Sequence, residues 1–329
     1  MDVLTDVLNT VHLQSAVHFC TALTTPWGIR VPAQSDRAIF YVMTRGSCYL
    51  EVDRLKSPIA LAGGDLVMLS HGDAHSLRDR LDSPIVPLAD LVKECPKHNA
   101  HRSFQHGGGG SLTALVAGHF IFENQTSKPL LSALPRLIHI HGEYGQAVPW
   151  LDTTLKWMAA ETNSKNPGAQ IIASRLTDML FIQILRADIA EHAGQCNSKP
   201  GWLRALADPN IGKAFELIHE QPNHPWTVAE LATQVNMSRT AFSLRFAELA
   251  GVPPLTYVTQ WRMLKAGDFL HQGAATISEI ATAVGYESEA SFSKAFKREM
   301  GVAPGTYRNG VSDARLAPAG FSKPKNFYE

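Results

Sequence analysis

Hydrophobic spacing divides the chain into two kinds of segment. Between Val17 and Phe122 the apolar residues come in short β-branched or aromatic runs that partly alternate with polar ones: VHFCTAL (17–23), AIFYVMT (38–44), CYLEV (48–52), DLVMLS (65–70) and LVAGHFIF (115–122). Turns such as Arg45–Gly46 and Gly63–Gly64 separate them, so the spacing predicts many short strands closing into a sandwich or barrel. After Trp150 the period becomes helical. Leu151, Leu155 and Met158 form one stripe; Ile172, Leu176, Met179, Leu180, Gln183 and Ile184 form another beyond the Asn166–Pro167–Gly168 break. Val3, Leu4, Val7 and Leu8 predict a short amphipathic helix at the start, and the polar stretch His192–Pro200 reads as a linker.

The helical pattern near the carboxyl end occurs twice. TVAELATQVNMSRTAFSLRFAELAGVPPLTY at 227–257 returns as TISEIATAVGYESEASFSKAFKREMGVAPGTY at 276–307. Glu230, Ala232 and Val235 match Glu279, Ala281 and Val284 at an offset of 49 residues, whereas Ser238, Phe242, Phe246 and Gly251 match Ser288, Phe292, Phe296 and Gly301 at 50. The extra residue therefore lies in one short turn.

Thr227 with Glu230 and Thr276 with Glu279 predict capping boxes opening helices over 228–235 and 277–284. Asn236–Met237 and Gly285–Tyr286 break these helices. Ser238 and Ser288 then cap second helices that turn Phe242/Phe246 and Phe292/Phe296 inward and end at Gly251 and Gly301. Each copy is a helix-turn-helix, whose second member enters the DNA major groove. A single copy would be weak, since many helical hairpins satisfy the pattern. Two copies joined by an amphipathic helix over 255–270 predict reading heads held about 34 Å apart, one duplex turn.

These residues carry a family resemblance. MSRTAFSLRFAELAGVPPLTYVTQWRM (237–263) and, more specifically, ISEIATAVGYESEASFSKAFKREMGVAPGTYR (277–308) resemble the DNA-binding domain of the AraC/XylS family of bacterial transcription regulators. The resemblance implies base-edge readers at Thr240, Ser243 and Leu244 in the first head, and at Glu289, Ala290, Ser291, Ser293 and Lys294 in the second. Where Leu244 stands the family frequently has a basic residue, so the first head reads there by methyl contact or reads less. The resemblance also implies double-stranded promoter DNA as partner, a homodimer, and contact with RNA polymerase.

Charge changes this picture little. Residues 211–310 hold nine Lys/Arg and nine Asp/Glu, so the domain lacks the bulk basic footprint of many nucleic-acid binders. Locally, Arg239 and Arg245 on the first reading helix, Arg262 on the connector, and Lys294, Lys297, Arg298 and Arg308 around the second are candidates for phosphate contact. Solvated helix surface is the bland alternative for each, strongest for Glu289 and Arg262.

The amino-terminal segment resembles a cupin. In GGDLVMLSHGDAHSL, Gly64, His71–Gly72 and His75 fall as in the second cupin motif, with His75 at its metal-binding position, but the first motif is absent from 39–52. The resemblance implies a sensory barrel for a small-molecule effector. His71 and His75 are the candidate ligands for zinc or another divalent metal, although a catalytic site usually needs three. Cys20, near the entrance strand, and Cys95, between Lys93 and Lys97, are the candidate redox-sensing thiols. HGGGG at 106–110 lacks the GKS/GKT of a phosphate loop; it is either a loop over an effector or a plain hairpin connection.

The expected architecture is mixed: a cupin-like β-barrel (jelly roll) over 1–145, a helical dimerisation and linker region over 146–200, an all-α domain with two helix-turn-helix motifs over 201–310, and a disordered tail over 311–329. At 329 residues and 45% hydrophobic, the chain is long enough for two or three cored domains. No apolar run approaches the length of a membrane span and the start lacks a signal-peptide pattern, so the expected location is the cytoplasm. Scattered cysteines without a CxxC favour reduced thiols. The expected function is a non-enzymatic, DNA-binding activator responding to a small molecule or chemical stress. A metal-dependent cupin enzyme fused to a DNA-binding domain, or a repressor without a diffusible effector, is the alternative.

Overall fold

The computed structural model describes residues 2–10, 13–94, 104–122, 134–142, 150–162, 166–192 and 201–309. They fall into two compact units that do not follow chain order. Of the described residues, one contains 13–94, 104–122, 135–142, 150–162 and 166–188; the other contains 2–10, 134, 189–192 and 201–309.

Among its described residues the first unit has eleven strands: β1 (Leu13–Thr24), β2 (Gly28–Val31), β3 (Arg37–Arg45), β4 (Ser47–Val52), β5 (Ile59–Ala62), β6 (Leu66–Leu69), β7 (His75–Arg78), β8 (Val86–Pro87), β9 (Phe104–Gly107), β10 (Leu112–Phe122) and β11 (Leu137–Ile140). They pair into a six-stranded sheet, β11-β6-β3-β10-β1-β9, and a five-stranded sheet, β5-β4-β7-β2-β8. Neither sheet closes on itself, which corrects the expected barrel. The two layers are joined by side chains rather than by a continuous hydrogen-bond ladder. Leu23, Ile39, Tyr41, Met43, Val67, Leu69 and Leu115 from one meet Ile29, Val31, Leu50, Val52, Leu61 and Leu77 from the other in one core.

A turn marks where a strand ends but not which sheet takes the next one. The chain switches layers at β1–β2, β2–β3, β3–β4, β5–β6, β6–β7 and β8–β9. Spacing of turns therefore fits a barrel and an open pair of sheets equally well.

β3 is buried on both faces, which explains why AIFYVMT does not alternate cleanly. Tyr41 and Met43 face the core between the sheets, while Phe40 stacks on Phe120 of β10 at 4.9 Å. Phe120 in turn lies 4.8 Å from Phe181. Phe181 belongs to the second of two long helices, α3 (Trp150–Thr162) and α4 (Ala169–His192), so α4 covers the outer face of this sheet. A shorter helix, α2 (Leu88–Glu94), follows β8. The four glycines are not the plain hairpin connection, because β9 and β10 are not neighbours in the sheet. They carry the chain across the end of β1, from β9 on one side to β10 on the other, pinned by Gly108 and Gly110 N–H groups donating to the Thr24 and Thr25 carbonyls at 2.9 Å.

The second unit is helical. It comprises α1 (Val3–Thr10), α5 (Trp202–Ala207), α6 (Pro209–Glu220), α7 (Val228–Gln234), α8 (Arg239–Ala250), α9 (Pro254–Gln272), α10 (Ile277–Ala283) and α11 (Glu289–Met300). Val3, Leu4 and Val7 are buried as their spacing predicts, and α1 packs against α6 and α9. Asp6 is buried as well, which no pattern in the sequence foretells. Its carboxylate lies 3.7 Å from both His219 Nδ1 and Lys265 Nζ. The His219 contact, reinforced by the Lys265 charge, holds Asp6 below the usual carboxylate range. His219 stacks on Trp261 at 3.7 Å and bonds the Tyr257 hydroxyl through Nε2 at 2.7 Å.

Candidate nucleic-acid interface

Each reading head is assembled by local chemistry. Thr227 Oγ1 accepts the Glu230 N–H at 3.1 Å and Thr276 Oγ1 accepts that of Glu279 at 3.2 Å, opening α7 and α10. Only the second forms the reciprocal box, with Glu279 accepting from the Thr276 N–H at 2.7 Å. Glu230 accepts instead from His224 Nε2 at 2.8 Å, so a nearby ring has outcompeted the backbone of Thr227. The two turns pass through Asn236 (φ 56) and Gly285 (φ 80), the left-handed region that asparagine and glycine tolerate best. Ser238 and Ser288 then cap α8 and α11, and Gly251 and Gly301 end them in left-handed caps.

Phe242, Phe246, Phe292 and Phe296 are fully buried, so the opposite faces of α8 and α11 point outward. On α8, Arg239, Thr240 and Leu244 are exposed and Ser243 is half-buried; Leu244 is 69% exposed, a large apolar side chain with no core to fill. On α11, Glu289, Ala290, Ser291, Lys294 and Lys297 are exposed and Ser293 is half-buried. The positions implied by resemblance thus share the outer face of each second helix.

Three arginines expected among the phosphate contacts are engaged within the domain instead; one is Arg308, whose Nη2 donates to the Ala275 carbonyl at 2.7 Å. Arg245 is bonded to Asp208, the cap of α6, at 3.1 Å and to Glu248 at 3.3 Å. Arg262 donates Nε to the Pro222 carbonyl at 2.7 Å, Nη2 to His224 O at 2.8 Å and Nη1 to Gly285 O at 3.4 Å, with its guanidinium 5.8 Å from the Tyr286 ring centroid. It stands on the connecting helix and ties the loop before the first head to the turn of the second. Nothing in the repeat announces this, because its acceptors are backbone atoms about 23–40 residues away.

With this geometry in place, comparison with known proteins decides the family. The Cupin family model matches residues 2–190 and a helix-turn-helix domain model matches 231–310. A protein of Streptomyces lividans named as an AraC-like transcription regulator is 33% identical over 94% of this chain and 98% of its own length. The HTH-type transcriptional regulator AlkR of Acinetobacter baylyi is 31% identical over 94% and 99%. The RCS-specific HTH-type transcriptional activator RclR of Escherichia coli is 32% identical over 68% and 76%. The chain belongs to the AraC/XylS-type transcription regulators with an amino-terminal cupin domain.

As an AraC/XylS-type protein it is a sequence-specific DNA-binding regulator, and these relatives are named as regulators rather than enzymes. Among the described residues, no helix is long and apolar enough to cross a membrane.

The cupin-type unit of this AraC/XylS-type regulator treats the candidate ligands unexpectedly. His75 is wholly buried. Its Nδ1–H donates to the Asp73 carbonyl at 2.7 Å, so the neutral ring must accept from the Tyr41 hydroxyl at Nε2, also at 2.7 Å. Neither nitrogen is left for a metal. His71 is half-buried in the preceding turn, between β6 and β7. Among the described residues, the group of three whose ligand atoms lie close enough to hold an ion is Asp65, His139 and His141, and it contains neither His71 nor His75. The His-x-His alternation at 139–141 was the available signal; Asp65 had none.

Burial pulls the His75 pKa down to about 4, with Arg30 acting the same way and the Asp73 carbonyl, Asp53 and Asp73 opposing. An unfolded histidine titrates near about 6.5, so between the two values the unfolded chain binds the extra proton. Stability is full above the unfolded value and falls by about 3 kcal/mol as pH drops to the folded one. Urea unfolding of the full chain between pH 7.5 and 4 is expected to show this loss in wild type, and a distinctly smaller one in His75→Gln. Equal losses would mean that His75 takes up its proton as readily in the fold as in the unfolded chain.

Of the candidate thiols, Cys20 lies on β1 opposite Val116 of β10, and Cys95 falls outside the described residues. Cys48 is buried against the Met43 sulfur at 3.7 Å, and desolvation raises its pKa to about 12, so it is a protonated, inert core residue.

Proposed function

We propose that this regulator activates transcription in response to a small molecule or chemical stress sensed by its amino-terminal unit, binding promoter DNA as a homodimer with both heads. The observation that carries the DNA half is the pair of outward second-helix faces on one compact unit, bridged by Arg262. The sensing half draws support from a second unit with its own core that supplies none of the reading residues. The sign of regulation draws on the Escherichia coli relative, which is named as an activator. Self-association is supported by exposed apolar side chains on α3 and α4: Trp157, Ile171 and Met179 are 60%, 67% and 55% exposed. RNA polymerase is the proposed second contact of the DNA-bound dimer.

Mapping bound DNA across the genome with and without candidate effectors, alongside transcript levels, tests this reading. Genes beside the bound sites are expected to rise when the effector is added, and only when the protein is present. Transcripts that fall with the protein present, whatever is added, would replace the activator with a repressor. On the mapped duplex, affinity should fall steeply with salt and exceed that for unrelated DNA by about a thousandfold or more.

A further inference from the structure

The antiparallel register of β11 on β6 pairs Leu137 with Leu69 and Ile140 with Leu66. Continued by one residue, it sets His141 across from Asp65, in the turn between β5 and β6. Alternate residues of a strand share a face, so His139 and His141 both lie on the side toward that carboxylate. The close approach depends on two glycines. Gly64 has φ +95, and a Cβ there would meet Gly142 Cα at 3.1 Å; one on Gly142 would meet the Gly63 carbonyl at 2.9 Å. Side chains at these positions would prise the turn from the strand end.

The carboxylate is fixed before any ligand arrives. Asp65 is buried; its Oδ1 accepts the Gly142 N–H at 2.6 Å and its Oδ2 accepts the Ala62 N–H at 2.9 Å. Oδ2 also lies 3.2 Å from His139 Nε2. The His139 and His141 rings are 4.0 Å apart, and one ligand atom from each of the three residues falls within 4.8 Å of the others. Exposure increases from Asp65 through half-buried His139 to exposed His141. The group is therefore open at one end and anchored at the other, with backbone N–H groups orienting the carboxylate as outer-shell donors do in metal sites.

We infer that Asp65, His139 and His141 form a binding site for a divalent transition metal, with zinc the best match. Two imidazoles and one carboxylate are a borderline donor set, which suits zinc and its neighbours better than calcium or magnesium, whose sites are built from oxygen. Three protein ligands leave a coordination position to water or to a small anionic or thiol ligand. This site is distinct from His75, whose nitrogens are already engaged. An ion here joins the β5–β6 turn to the end of the sheet's outermost strand. The inference concerns the amino-terminal unit alone and holds whatever the sign of regulation.

The test uses the full chain, stripped with a chelator and then loaded with zinc or cobalt alone. Wild type is expected to retain one equivalent of zinc through gel filtration, to show cobalt d–d bands of a low-coordinate site, and to melt at a higher temperature when loaded. His141→Ala, at an exposed position, should keep the melting temperature of the metal-free wild type. It should bind zinc at least about tenfold more weakly, lose the cobalt bands and lose the stabilisation by metal. His139→Ala should do the same, while His71→Ala should not. A wild type that retains no zinc, or a His141→Ala variant that binds and is stabilised like wild type, would overturn the assignment; the latter would place the zinc on other histidines.

Discussion

Arg262→Ala is expected to destabilise the DNA-binding unit by about 3 kcal/mol, because it removes the common donor of three partly buried backbone carbonyls. A hydrogen bond from a charged donor contributes roughly 1.5–3 kcal/mol; part exposure of Arg262 argues for the lower end for each of the two short bonds, and the 3.4 Å contact adds little. The loss is structural first and functional second. Pro222 and His224 lead into α7, and Gly285 is the left-handed turn between α10 and α11, so both heads lose a shared anchor. Arg262→Lys should rescue little: an ammonium has no planar fork to reach carbonyls on two sides. Thermal or urea unfolding of the full chain reads the effect directly. An unchanged unfolding midpoint together with weakened DNA binding would return Arg262 to the phosphate contacts.

Lys294→Ala is expected to do the reverse. The side chain is exposed on the outer face of α11, so stability should move by no more than about 0.5 kcal/mol. Affinity for the mapped duplex should fall by roughly 10- to 100-fold, corresponding to about 1–3 kcal/mol. Its salt dependence then separates two roles. If Lys294 contacts a phosphate, the salt slope drops by about one and all sequences weaken alike. If it reads a base edge, the slope holds and discrimination relaxes at one position. Unchanged affinity with an unchanged slope would remove Lys294 from the interface.

What could be read from the chain alone was whatever is fixed by residues close in sequence. Ser238, Ser288, Gly251 and Gly301 act on their own helices within one or two turns, and the Phe pairs need only the four-residue spacing to share a face. The reading heads were therefore legible to the level of individual outward residues. The runs at 17–23, 38–44, 48–52, 65–70 and 115–122 fall on β1, β3, β4, β6 and β10, while the short strands β2, β5, β7, β9 and β11 lie in stretches with no comparable apolar run.

Partners chosen over long separations were not legible. Which sheet receives a strand, which carbonyls receive Arg262, and why Asp6 is buried beside His219 all depend on residues tens to hundreds of positions away. His75 shows the same limit from another side. The motif singled out a histidine, but Tyr41 and Asp73 settle what its nitrogens can do.

Leu244 and Lys294 stand at matching places in the two repeats, one greasy and one cationic, and both look outward. A duplex gripped by such unlike fingertips has a front and a back. Turning the operator end for end would present each finger with the other's letters, so the spelling of a site would also dictate which way round each subunit sits relative to the gene downstream.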